Sequence, residues 1–186
     1  MVIDKKFKGL VKEDYRYVFN GNIETTESLE IDLDMGLFVT GYIKAGGSIK
    51  AGGSIEAGWS IKAGGSIKAG GSIEAGEFIE AGEFIKAGWS IEAGEFIKAG
   101  EYYGIVAGLS ITCKDTLSFG LKVFAGICAW REVTDEEKTI TCGKLENGAV
   151  GYGILKETGL EPEDDDRTEE AMKLLREKGY KIIKEK

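Results

Sequence analysis

The residue types that carry most protein chemistry are sparse in this chain, and their spacing argues against catalysis. Its 186 residues include no histidine, which removes the commonest general base near neutral pH and the commonest metal ligand. Cys113, Cys128 and Cys142 lack the CxxC spacing of a zinc or redox centre, and an odd number of widely spaced cysteines does not build a disulfide framework. Neither a GxxxxGK[ST] loop nor a strand-anchored GxGxxG is present to cradle a phosphate. Asp164, Asp165 and Asp166 supply carboxylates, but they read as a solvated linker running into a helix N-terminus. The expectation is a protein that is not an enzyme, with no cofactor and no metal.

What remains is binding chemistry. Between residues 77 and 102 acids alternate with aromatics: Glu77, Phe78, Glu83, Phe84, Trp89, Glu95, Phe96, Glu101 and Tyr102. Residues 37–72 hold four Lys against one Glu, a net of +3, whereas residues 73–101 hold seven Glu against two Lys, a net of −5. Aromatic anchors ringed by carboxylates suit a protein partner with a basic surface, because the aromatics fill pockets while the charge steers the encounter. These nine residues are the expected partner-binding set, with a homo-oligomer as the other partner class. The formal net charge of −8 opposes wholesale attraction to nucleic acid or to an anionic membrane. No apolar run approaches the ~20 residues that span a bilayer, and the N-terminus lacks a signal-peptide core. Cysteine usage fits a reducing cytosol, so a cytoplasmic setting is expected.

The elements that must hold these residues are written in a six-residue period. From Ile43 to Ile97 the pattern I-[KE]-A-G-x-[SFY] runs ten times without a break. It resumes in degenerate form, after two extra residues, at Ile105, Ile111, Leu117 and Val123, and Leu37 and Ile31 extend it upstream. On a helix, residues six apart point about 240° apart and form no face. On a strand, Ile and the Ala two positions later share one face and the charge between them faces out. Gly then forms the corner, where its freedom at unusual φ is expected to matter. Among the outward charges, Lys50, Lys68 and Lys86 fall eighteen residues apart, as do Glu56, Glu74 and Glu92. That second period predicts three strands per coil.

The fold expected is therefore all-β: a single-stranded β-solenoid, three-sided, of about five coils over residues 37–129. Residues 1–36 read as an N-terminal β cap. Residues 130–158 read as a β-hairpin turning at Asn147-Gly148, a favoured tight turn. Residues 159–186 read as an acidic linker, a short helix TEEAMKLLREK and a final strand.

The hexads resemble those of hexapeptide-repeat β-solenoids. Acyltransferases of that class use a histidine base and trimerise around it; this chain has no histidine, and it places Ala two and Gly three residues after Ile, which is a different phase. The solenoid tract also resembles bactofilins, bacterial polymer-forming proteins on a triangular β-solenoid, and that likeness implies filament assembly. In size, acidity and repeat architecture the chain resembles small inhibitor proteins of phages and mobile elements, anti-CRISPR proteins among them, which implies an inhibitor or decoy.

Overall fold

Ile-x-Ala gives each hexad a three-residue strand whose first and third side chains point the same way, and the three residues after it turn the chain. In the computed structural model, which describes residues 1–159, the ten isoleucines from Ile43 to Ile97 are fully buried and each following Ala is nearly so. The charged residue between them faces outward. Burial of one Ile side chain is worth roughly 1.5–3 kcal/mol, so the column of isoleucines is the main stabilising feature of the tract.

Pairing is parallel between strands eighteen residues apart. Ile49, Ile67 and Ile85 stack in one column with Lys50, Lys68 and Lys86 outside them. Ile55, Ile73 and Ile91 form a second, carrying Glu56, Glu74 and Glu92. Ile43, Ile61, Ile79 and Ile97 form the third, outside which stand Lys44, Lys62, Glu80 and Lys98. We call these the basic, acidic and mixed faces; they contain eight, nine and seven strands respectively. The molecule is a three-sided parallel β-solenoid with a single apolar core along its axis.

The solenoid is longer than the repeat tract suggests, at about eight turns. Upstream, Leu29 rather than Ile31 stands in the isoleucine column, pairing with Ile49, while Ile31 occupies the alanine position beside Ala51. Two extra residues before Leu37 cause that offset. The expected N-terminal cap is thus partly solenoid. Its covering piece is Leu10–Lys12, which lies antiparallel on Arg16–Phe19, the only antiparallel pair described, with Phe7 packed against Phe19 at 5.7 Å. An antiparallel strand at this position shields an edge that would otherwise recruit another chain.

The segment read as a hairpin turns out to be a coil. Lys144–Glu146 pairs in parallel with Thr116–Ser118, and Ala149–Tyr152 with Lys122–Phe124, so the strands flanking Asn147-Gly148 lie on two different faces. Both residues do adopt positive φ, 61° and 68°; the dipeptide is used as a solenoid corner. The short helix and last strand expected after residue 159 lie outside the described residues.

Glycine's role in the repeat also differs from expectation. The first glycine of each hexad is absent from the positive-φ residues. Its constraint is the coil beneath. A Cβ on Gly64, Gly70, Gly82 or Gly88 would overlap the carbonyl oxygen of the glycine eighteen residues earlier. Backbones stacked this closely exclude any side chain.

Candidate interaction surfaces

Because successive hexads take successive sides, residues six apart belong to different edges of the prism and only residues eighteen apart share one. The nine acidic and aromatic residues therefore divide into three groups. Phe78, Phe84, Phe96 and Tyr102 lie outside the core, as strand parity predicts; the nine residues do not gather into one stripe.

Glu77, Phe78, Glu95 and Phe96 stand together on the edge between the acidic and mixed faces. The Phe78 and Phe96 rings are stacked, with centroids 4.8 Å apart and planes 3° from parallel, and both are half-buried. Glu77 and Glu95 are exposed, and their backbones are tied coil to coil: the Glu77 N–H donates to the Trp59 carbonyl at 2.8 Å and the Glu95 N–H to the Glu77 carbonyl at 2.7 Å. Trp59, one coil before Glu77, is 54% exposed and completes the row. Sequence reasoning left Trp59 out of the set, although its spacing of eighteen from Glu77 was available as a signal.

Glu83, Phe84, Glu101 and Tyr102 lie on the edge between the mixed and basic faces. The last two sit in the connection that carries the two extra residues, and Tyr102 is 79% exposed. The Lys68 ammonium lies 4.7 Å from the centroid of the Phe84 ring, a cation–π geometry. Phe84 also walls an apolar groove of about 540 Å³ whose other lining includes Val106, Leu121 and Phe124. Val106 and Phe124 occupy the outward position that bears Lys in the upstream coils, a departure visible in the degenerate repeats. Trp89 is alone on the third edge, 54% exposed.

At Gly65, Gly71 and Glu83 the residue after the hexad's first glycine lies against a serine hydroxyl one coil earlier. Ser48 and Ser54 accept the N–H groups of Ser66 and Ser72 at 3.1 and 3.0 Å. Their hydroxyls then fill the space that a Cβ on Gly65 or Gly71 would need. The Ser66 hydroxyl instead donates to the Glu83 carboxylate at 2.6 Å, and a side chain is accommodated there.

Electrostatics separate the faces. On the mixed face, Lys44 bonds Glu24 and Lys62 bonds Glu80, each at 2.7 Å. On the acidic face, Arg16 reaches Glu56 at 2.9 Å, while Glu74 and Glu92 have no ion pair among the described residues. Partial burial, and then Glu56 and Glu92 one coil to either side, push the Glu74 carboxyl above the ordinary range. On the basic face, Lys50 lies 3.9 Å from Glu30, and Lys68 and Lys86 have no carboxylate partner among the described residues.

Conventional chemistry has little to work with. Burial pushes the Cys113 and Cys142 thiols up to about 12 and about 11, so neither supplies a thiolate nucleophile near neutrality. Among the described residues no group of three or more Cys, Asp or Glu is arranged to hold a metal ion, and no helix is long and apolar enough to cross a membrane. No family model, curated protein or solved structure matches the chain.

Proposed function

We propose that this solenoid is a non-enzymatic protein-binding scaffold, and that the edge formed by Trp59, Glu77, Phe78, Glu95 and Phe96 docks a partner with a basic surface. The observation that carries this reading is the Phe78–Phe96 stack. Earlier coils place a tyrosine and a serine at this position, Tyr42 and Ser60, so the core does not require Phe. Two stacked rings flanked by exposed carboxylates have the composition of an interaction hot spot. An inhibitor or decoy acting in a phage or mobile-element setting, in the cytosol, is the concrete form of this reading. It rests on the chain's likeness in size, acidity and repeat architecture to anti-CRISPR-type proteins.

The test compares the wild-type chain with F78S/F96S in cross-linking and pull-down from the native host. Loss of one specific partner by the variant, with its circular dichroism and cooperative unfolding kept, supports the reading; equal recovery of partners by both proteins refutes it. Self-association, as a homodimer or a bactofilin-like filament, is the second reading. It is favoured by the apolar groove at Phe84, Val106, Leu121 and Phe124, which no described segment covers.

A further inference from the structure

Two faces of the prism carry ladders of opposite sign in the same axial spacing. Lys50, Lys68 and Lys86 are in register on one face, and Glu56, Glu74 and Glu92 on the next. Like charges stacked in neighbouring parallel strands, about 4.8 Å apart, repel and weaken the coil. The chain has a local remedy: on the mixed face Lys44 and Lys62 each bond a glutamate one coil away, whereas on the two ladders only the first rung is relieved, Lys50 by Glu30 and Glu56 by Arg16. Pairing of the two ladders around their shared edge does not occur, since no ion pair links them. Among the described residues Lys86, Glu74 and Glu92 have no ion-pair partner, and Lys68 has only the Phe84 ring.

We propose that these faces mate between copies, the lysine ladder of one molecule lying on the glutamate ladder of a second with axes parallel. Each lysine precedes its glutamate by six residues, a third of a coil, so an axial shift of about 1.6 Å brings all three rungs opposite one another. The charged rungs span three coils, beyond which the basic face presents Val106 and Phe124 and the acidic face Thr112 and Thr141; contact along all of the roughly 40 Å by 15–20 Å face would bury about 600–800 Å² a side, the size of a standard specific interface. Both ladders repeat at the same interval. The contact is heterologous, because one copy's basic face leaves its acidic face free, and each contact advances about 1.6 Å along the axis, so assembly continues into an open helical array. This bears on the second reading above and is independent of the Phe78–Phe96 edge.

Charge reversal tests it on the full chain. Wild-type protein followed by light scattering at ~0.05 M salt should show at least a doubling of mass with concentration, and should return to monomer at ~0.5 M salt, where exposed charges are screened. K68E/K86E has two acidic faces and E74K/E92K two basic ones, so each alone should remain monomeric. Mixed in equal amounts they should associate, because every contact between them is again Lys on Glu. Unchanged circular dichroism and melting of each variant show that folding is retained. A wild type that stays monomeric at low salt overturns the proposal. So does association that survives both reversals, which would place the interface at the Phe84 groove or a solenoid end. Loss on K68E/K86E alone, with E74K/E92K still associating, also overturns it by assigning the basic face to a different anionic surface.

Discussion

At the residue scale, the glycine column separates two properties usually blended in that residue: freedom at unusual φ and lack of a side chain. The first glycine of the hexad is held to its identity by a carbonyl oxygen one coil below, with no positive φ involved. Gly52 supplies an internal control, because nothing lies within 4 Å of the Cβ it would bear, whereas a Cβ on Gly70 meets Gly52's own carbonyl. Gly70→Ala should cost at least the ~1–3 kcal/mol of an overpacked core. Gly52→Ala should be neutral, or stabilising by about 0.4–1 kcal/mol through the unfolded chain. Urea unfolding of both variants checks this, and equal losses would return the explanation to backbone conformation. Glu74 offers a second test. Its folded-state pKa is raised, so the fold tolerates the neutral acid and resists the anion; its share of stability is intact below the unfolded value and lost as pH rises through the folded one. Glu74→Gln should therefore melt about 1–2 °C above wild type at pH 7 in dilute solution. The difference should vanish as pH falls below the unfolded-state value, where both side chains are neutral folded and unfolded.

At the element scale, the strand is too short to stand alone and the edge too narrow to need a core of its own. Phe78 and Phe96 are half-buried chiefly by each other. An aromatic pair contributes about 0.5–1.5 kcal/mol beyond its area, so F78S/F96S should lose roughly 1–2 kcal/mol of monomer stability. A loss near the ~3–5 kcal/mol typical of one buried Phe would mean that the stack belongs to the core after all. The repeat made its strands legible without ambiguity: Ile-x-Ala has one strand parity and no helical face, and the eighteen-residue memory in Lys50 and Glu56 gave the number of sides. The flanks were not legible for a physical reason. Solenoid strands such as Arg16–Phe19 and Lys144–Glu146 earn their pairing from neighbours far along the chain, so their sequences need only an apolar residue at the right level. Asn147-Gly148 was misread because the same two positive-φ residues serve a hairpin and a corner alike. The placement of the nine candidate residues was half legible. Parity placed Phe84 and Phe96 outside, but pooling residues six apart merged three edges into one, and the Val106–Phe124 groove was passed over because degenerate coils read only as weaker core.

At the scale of the whole molecule, stability is close to a sum over coils and their interfaces. Excising residues 55–72 removes one complete turn while leaving Ser54 to meet Ile73, the next residue on the same face. That variant should fold cooperatively, shorten by about 4.8 Å in small-angle scattering, and keep its basic and acidic faces. The close stacking of identical coils carries a further consequence, for how such a chain can change over generations. Hexads are interchangeable to the core, since every Ile-x-Ala fits every side, so gain or loss of six residues preserves the isoleucine column. To the surface they are not interchangeable. Losing residues 55–60 alone would turn everything downstream by one side and put Glu74 and Glu92 beneath Lys50, dissolving both ladders while the interior stays intact. The chain thus has a second reading frame, eighteen residues wide, superimposed on the first. Slippage within the core's frame is silent for folding, and only slippage by whole turns is silent for recognition.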